Sequence, residues 1–340
     1  MSFYLEKLKK VFQTFFSVKN EYIDMKKNKV ITLLSFKFIF EIRSCFLFKE
    51  YQPRLIEGLR IIQSPKKSKK NLTAICAIFK NEPDIKEWIE YHKLIGFDKF
   101  YLYNNESTNN PLEILKPYIE EESVIYHYIP GKCMQNVYRD AVARYKKNTQ
   151  WLAIIDLDEY ICPVEKNNIK DFLKDYKHEV AVGINWVLFN SNGHQKRPDK
   201  LVIDAYTRVM KDYQAHENLH IKSIVKPKEV RCITNPHFCF YYDKFAKDEN
   251  FNTIGNERIL FNSSNVDNAF TERNSVNKIR INHYHTKSFE DYCEKRKLGY
   301  PDQIKERPEI DEFLNFSVET TNDYVIQKYL PMLKEKMGVC

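Results

Sequence analysis

From position 71 onward, short apolar runs alternate with amphipathic stretches. Leu72-Thr-Ala-Ile-Cys-Ala-Ile-Phe79 is an apolar run of buried-strand length, ended by Lys80-Asn-Glu-Pro83. The spacing of Trp88, Ile89, Leu94 and Ile95 predicts a helix next, with Asp84 and Glu87 at capping-box separation and Gly96 as its stop. The same reading predicts strands over 100–103, 123–129 and 151–155, and helices over about 111–119 and 134–147. Strands are expected beyond these at 180–187, 201–206, 223–230, 238–242 and 278–285, and helices at 289–297 and 323–336.

Strand and helix alternating at this spacing predict an α/β fold with a central, mostly parallel mixed sheet flanked by helices. Ligands of such sheets bind beyond the carboxyl ends of the strands. The polar clusters at 80–82, 104–109 and 156–159 all fall there.

The first 70 residues differ in pattern and charge. They carry 16 of the 54 Lys+Arg and 6 of the 46 Asp+Glu, a net of +10, so the other 270 residues net −2. Nucleic-acid proteins spread basic residues over the binding domain, so no nucleic-acid partner is expected. Leu8, Val11, Phe12, Phe15 and Phe16 share one helical face beside Lys7, Lys9 and Lys10. Such a face fits an anionic membrane surface or the protein's own core. Positions 30–48 are apolar but interrupted by Lys37, Glu41 and Arg43, which argues against a spanning helix. No secretory signal pattern is seen, so the expected location is cytoplasmic, with peripheral contact to the inner face of the membrane. The expected divisions are a basic, largely helical region over 1–70 with a polar linker at 63–70, a main domain over 71–300 and a helical extension over 301–340.

Composition narrows the chemistry. The nearest of the 8 glycines, Gly183 and Gly193, are ten residues apart, which excludes a P-loop and a dinucleotide-binding glycine fingerprint. The 8 cysteines form no C-x-x-C and read as buried free thiols. If phosphates are held, another device holds them. Ile154-Ile-Asp-Leu-Asp-Glu-Tyr160 offers one: on extended backbone Asp156 and Asp158 face the same way, and a hard divalent cation takes carboxylate oxygens and shares them with substrate phosphates. In Lys278-Ile-Arg-Ile-Asn-His-Tyr-His285 the side chains of Ile279, Ile281, His283 and His285 share a face. These imidazoles read either as core groups or as nitrogen ligands to the same metal, the latter favouring Mn²⁺ over Mg²⁺.

Taken in order, several motifs resemble a known family. They are Ala77-Ile-Phe-Lys-Asn-Glu82, Glu87-Trp-Ile-Glu-Tyr-His92 with Gly96, Tyr101-Leu-Tyr-Asn-Asn-Glu-Ser107, Gln135, and Trp151–Tyr160 with Pro163. Trp186, Phe189, Gly193-His194, Lys222–Lys226, Val230-Arg231 and His237 follow, then Asn282-His-Tyr284, Lys287-Ser288, Lys295 and Gly299. From about Leu72 to Gly299 the chain resembles the family-92 glycosyltransferases and their family-2-like bacterial relatives. The resemblance implies a GT-A type nucleotide-diphospho-sugar transferase fold, a UDP-sugar donor, often UDP-galactose, a divalent metal (Mn²⁺ or Mg²⁺) and inversion at the anomeric carbon. By position it implies Asp156 and Asp158 as metal and ribose-phosphate contacts and His283, in the family's His-Tyr pair, as third ligand. Lys80, Asn81, Glu82 and Asn105 would line the nucleoside pocket, and Lys287 and Lys295 would meet the diphosphate. Asn104 and Asn109 stand where the family usually has Asp.

Inversion requires a base for the acceptor hydroxyl. Asp204, Asp212, Glu217 and Asp243 lie in the acceptor half, and Asp204, within the strand pattern at 201–206, is the one expected. The function expected is a metal-dependent inverting hexosyltransferase, galactose favoured, acting on a glycan or glycolipid acceptor in cell-surface polysaccharide or lipooligosaccharide synthesis. The alternatives are an inactive glycan-binding protein of the same fold and a metal-dependent phosphohydrolase.

Overall fold

The computed structural model describes residues 71–131, 134–233, 235–242, 244–255, 269–299 and 319–339, with the backbone of strands at 16–23, 26–33, 36–42 and 60–61. The chain divides into two compact units, Met1–Tyr51 and Gln52–Cys340.

In the first unit, β1 (Phe16–Ile23), β2 (Lys26–Leu33) and β3 (Phe36–Ile42) pair as an antiparallel sheet in that order. This corrects the helical expectation for 16–42. The segment is rich in β-branched and aromatic residues, and tertiary pairing overrode the local helical pattern. The expected amphipathic helix otherwise falls on 1–15, and the linker on 63–70; both lie outside the described residues.

The second unit is built on a mixed sheet. Its strands, beside β4 (Arg60–Ile61), are β5 (Asn71–Phe79), β6 (Lys99–Asn104), β7 (Val124–Tyr128), β8 (Thr149–Ile154), β9 (Glu159–Pro163), β10 (Ala181–Leu188), β12 (Ile221–Val225), β15 (Ala246–Lys247), β16 (Thr253–Ile254) and β17 (Ile279–His283). The order is β16-β15-β10-β12-β8-β5-β6-β7-β4, with β17 on β10 and β9 on β17. The run β8-β5-β6-β7 is parallel, β12 is antiparallel to both β8 and β10, and β17 is parallel to β10. Small pairs, β11 (Arg208–Met210) with β18 (Thr320–Asn322) and β13 (Val230–Ile233) with β14 (Cys239–Tyr241), flank it. The segment expected as a C-terminal extension packs within this unit through β18 and a last helix, Leu330–Met337; residues 301–318 lie outside the described residues.

These directions decide where the site forms. The carboxyl ends of β5, β6, β8, β10 and β17 and the amino ends of the reversed strands β9 and β12 share one edge of the sheet. Seven consecutive buried residues, Thr73–Phe79, make β5 a strand that needs cover on both faces.

Helix α1 (Ile85–Leu94) supplies part of that cover by burying Trp88, Ile89 and Tyr91. Its polar atoms hold β9: Trp88 Nε1 donates to the Glu159 carbonyl (2.9 Å) and Tyr91 hydroxyl to the Ile161 carbonyl (2.8 Å). His92 Nδ1 bonds the Trp88 carbonyl (2.8 Å), leaving Nε2 to accept from Ile161 N (3.3 Å). Burial lowers its pKa to about 3, so it serves as a neutral ring. Helices α2 (Pro111–Glu120), α3 (Met134–Tyr145) and α4 (Ile169–Asp175) follow in the expected alternation.

Two local expectations are corrected. Residues 201–206 do not form a strand; Val202–Ala205 is a helical turn, α5. The Asp84–Glu87 capping box does not form, because Asp84 makes no side-chain cap bond and Glu87 points into the core. There Glu87 Oε2 and Oε1 accept from Val202 N (2.8 Å) and Ile203 N (3.3 Å). A partner 115 residues away took both oxygens, a contact no local pattern encodes.

Burial raises the Glu87 pKa from 4.5 to about 8, against the lowering effect of the two backbone bonds. The folded chain then keeps a proton that the unfolded chain loses from pH 4.5 upward. The stability held below pH 4.5 therefore drains away as pH rises to about 8. Glu87→Gln removes this titration. The melting-temperature advantage of wild type over the variant should shrink between pH 5 and 8, and a pH-independent difference would refute the assignment.

Candidate active site

After β8 the chain turns at 155–158 and re-enters the sheet as β9, with Glu159 N bonded to the Asp156 carbonyl (3.2 Å). The acid pair therefore sits on a turn, not on extended backbone, and its carboxylates take different partners. Asp156 Oδ2 accepts from Lys222 Nζ at 2.7 Å and Oδ1 from the Tyr138 hydroxyl at 3.2 Å. Lys222, at the start of β12, is 1% exposed and also lies 3.6 Å from Glu159 Oε2. Burial pushes the Asp156 carboxyl up, but the Lys222 ammonium outweighs it and leaves the pKa lowered. Glu159 is raised well above the carboxylate range by burial, which Lys222 only partly offsets. One cation thus serves two acids unequally and holds Asp156 ionised in a fixed orientation.

Asp158 faces the end of β17. Its Oδ2 lies 3.5 Å from His283 Nε2 and 2.5 Å from Lys295 Nζ, and its carbonyl accepts from Tyr284 N at 2.8 Å. Ligand atoms of Asp158, His283 and His285 lie within 4.8 Å of one another. His283 is the ligand expected from the resemblance; the structure brings His285 to the carboxylate as well. Burial pushes Asp158 up, but Lys295 and then His283 carry it well below the usual range. Burial lowers His283 to about 4 despite Asp158, so its ring is neutral at pH 7. An ionised carboxylate and a neutral imidazole are the protonation states that a metal ligand requires.

The loop after β17 brings a second cation. Lys287 adopts φ 49°, a left-handed conformation sustained by its surroundings. Its Nζ is 3.2 Å from Glu82 Oε1 and is also paired with Asp84. Ser288 then caps α6 (Phe289–Leu298) in a capping box with Asp291, and α6 carries Lys295. Burial disfavours the Lys287 charge, but Glu82 and Asp84 raise its pKa well above the lysine range. Glu82 is raised by burial against Lys287, and neighbouring Asp84 and Asp158 add to the rise. Glu82, Asp158 and both lysines therefore share one electrostatic environment.

The asparagines expected in a nucleoside pocket staple the loops. Asn81 Oδ1 accepts from Thr108 N (2.7 Å), and its own N–H donates to Ser107 Oγ (2.8 Å). Asn105 Nδ2 donates to the carbonyls of Ile129 (3.0 Å) and Gly131 (2.9 Å). Asn104 Nδ2 donates to the Tyr126 hydroxyl (2.6 Å). These bonds shape the ends of β5 and β6. Lys80 is half-buried beside them.

Asp204 lies on α5, its carboxylate 3.2 Å from Lys334 of the last helix; no bond among the described residues joins it to the acid turn. Asp212 Oδ1 accepts from Gln214 N (2.9 Å), Glu217 is exposed, and Asp243 lies outside the described residues.

An aromatic cluster that no sequence pattern marks lies beside the acid turn. Trp186, near the end of β10, stacks on His220 (4.7 Å, 17°) and meets His283 (4.3 Å) and His237 (5.3 Å). Lys222 is a motif position to which the sequence assigns no role. Its signal was a lone cation in the otherwise uncharged Ile221-Lys-Ser-Ile-Val225.

Residues 72–297 match the family model for glycosyltransferase family 92. The chain belongs to glycosyltransferase family 92. The matched span of this family-92 chain contains the acid turn, both histidines, Lys222, Lys287 and Lys295. A glycosyltransferase family 92 protein of Oryza sativa subsp. japonica is 26% identical over 159 residues, covering 45% of this chain and 26% of that protein. One of Ricinus communis is 24% identical over 182 residues (50% and 32%), and one of Arabidopsis thaliana 26% over 175 residues (47% and 29%). The matches thus span about a quarter to a third of these relatives' length. Among solved structures, Staphylococcus aureus TarS 1-349 is similar at 15% identity and a TM-score of 0.28, over 46% of this chain and 47% of that one.

Proposed function

We propose that this family-92 chain is a metal-dependent, inverting hexosyltransferase. It would move a hexose, galactose favoured, from a UDP-sugar to a hydroxyl of a glycan or glycolipid. The observation that carries the reading is the convergence of Asp158, His283 and His285 with two lysine cations at the carboxyl edge of a mostly parallel sheet. Inversion and the preference for galactose rest on the family resemblance alone.

The residues fit a divalent cation: an ionised carboxylate and two imidazoles whose ligand atoms lie within 4.8 Å of one another; Lys295 Nζ, now on the Asp158 carboxylate, would turn to the diphosphate when the ion binds. This donor set suits Mn²⁺ better than Mg²⁺. Bound there, the ion would neutralise charge on a departing diphosphate. The protein's own part is electrostatic. Lys287 and Lys295 present ammonium groups at the same edge, preorganised toward developing phosphate charge. Lys222 and Tyr138 orient Asp156 for a donor hydroxyl or phosphate contact. Asn81, Asn104 and Asn105 hold the loops expected to line the nucleoside.

No helix among the described residues is long and apolar enough to cross a membrane. The basic N-terminal region supports a peripheral role at the inner membrane face, in synthesis of a surface polysaccharide or lipooligosaccharide. The deciding experiment is calorimetry of UDP binding with Mn²⁺ and with EDTA. Binding with Mn²⁺ that disappears in EDTA is expected; no binding in either condition refutes the donor assignment.

A further inference from the structure

We propose that His220 is the catalytic base of the transfer, taking the acceptor hydroxyl's proton on its Nε2. This deepens the transferase reading and rests on it. Among the carboxylates considered for this role, Glu217 is exposed on the turn before β12 and Asp243 lies outside the described residues. Asp204 pairs with Lys334, Asp212 serves its own turn, and Asp156 and Asp158 are engaged by Lys222 and Lys295. What faces the acid turn from the acceptor half is an imidazole cluster.

His220 lies just before β12, at the site edge. Its Nδ1 is 3.0 Å from the Glu217 carbonyl. A carbonyl only accepts, so Nδ1 carries the proton and Nε2 keeps its lone pair. Nε2 makes no hydrogen bond among the described residues. The ring is held from several sides: Trp186 stacks on it at 4.7 Å, Phe270 lies at 4.0 Å, His237 at 5.5 Å and His216 at 6.0 Å. Through Trp186 it is one ring removed from His283 and so from Asp158. A tautomer-fixed imidazole whose Nε2 keeps its lone pair is the equipment needed to deprotonate one hydroxyl.

The charged and titratable groups around His220 are His216 and Glu217 on its own turn, Lys222 on β12 and His237 before β14. Burial, His216 and Lys222 lower its pKa, against the bond to the Glu217 carbonyl and the Glu217 charge. Burial and Lys222 lower His237 to about 3, against the bond of its Nδ1 to the Ile221 carbonyl (3.0 Å).

In the step, the acceptor O–H bond breaks and its proton passes to Nε2. The oxygen forms a bond to the anomeric carbon, and the bond from that carbon to the diphosphate oxygen breaks. Its electron pair leaves with UDP, and the imidazolium returns its proton to water.

The test uses the full chain with UDP-hexoses and a panel of methyl glycosides, reading UDP release from pH 5 to 9. In His220→Asn the amide can still donate to the Glu217 carbonyl, but no base remains. Turnover should fall about a hundred- to ten-thousandfold, the acid limb of the kcat profile should vanish, and UDP affinity should hold. Imidazole in the buffer should restore part of the turnover of His220→Ala. Wild type needs no variant: its acid-limb midpoint should move with temperature as an imidazole's does. Several results overturn the base assignment alone: near-wild-type turnover in His220→Asn, a temperature-independent midpoint, or loss of the limb in Asp204→Asn instead. A wild-type chain that moves no sugar from any UDP-hexose removes the transferase reading and this assignment together.

Discussion

Asp158→Asn should lower sugar transfer about a thousandfold while the chain still folds. Asparagine keeps the side chain's shape, and the backbone bond from Tyr284 N to the residue 158 carbonyl is untouched. What is lost is the negative charge facing Lys295, His283 and His285. The only anionic member of the donor set goes with it, so Mn²⁺-dependent UDP affinity should fall in parallel. Turnover and calorimetry on the same preparation check this, with a melting curve to confirm the fold. Unchanged turnover would show that the acid turn is not the reaction centre.

The largest expected effect on stability lies at the other end of β17. Arg280 and Asp323 form a two-pronged pair, Nη1 to Oδ2 at 2.7 Å and Nη2 to Oδ1 at 2.5 Å, with side chains only 3% and 5% exposed. The Tyr213 hydroxyl donates to the same carboxylate at 2.7 Å, and Val325 N does so at 3.0 Å. Burial opposes the Arg280 charge, but the bond to Asp323 raises its pKa further above an already high value, so the guanidinium stays charged. Asp323→Leu leaves that charge buried and unpaired, at a cost of about 3–5 kcal/mol. The double variant Arg280→Met/Asp323→Leu should recover much of the loss, because both charges leave the interior together. Urea unfolding of the single and double variants measures this. A single-variant loss below about 1 kcal/mol, the range of exposed pairs, would mean that the pair is not buried in solution.

The parallel half of the sheet was legible because each of its elements is encoded locally. Thr73–Phe79 is a continuous apolar run, α1 shows its buried face in Trp88, Ile89 and Tyr91, and polar residues mark each strand's carboxyl end. The later part was less so. Leu201–Tyr206 has an apolar pattern that fits either period, and Glu87, distant in sequence, stabilised the helical turn by accepting its first N–H groups. At 16–42 strands stand where a helix is expected for a related reason: cross-strand pairing is a non-local gain that helical periodicity does not weigh. Site residues divide in the same way. Asp156, Asp158 and His283 stood out by type and spacing, whereas Lys222 and His220 drew importance only from what lies across the sheet.

The sequence alone determined the α/β alternation, the absence of a glycine phosphate loop, the acid pair at a strand end and the family resemblance, because each is carried by neighbours along the chain. The tertiary structure alone decided that the acid pair occupies a turn with separate partners, that His285 joins His283 at Asp158, and that Asp204 faces the last helix. It also decided that a tryptophan and three histidines gather beside the site. The reason is strand direction: antiparallel β9 and β12 return their first residues to the edge where the parallel strands end. Side chains more than sixty residues apart, such as Asp156 and Lys222, thereby come within hydrogen-bond reach.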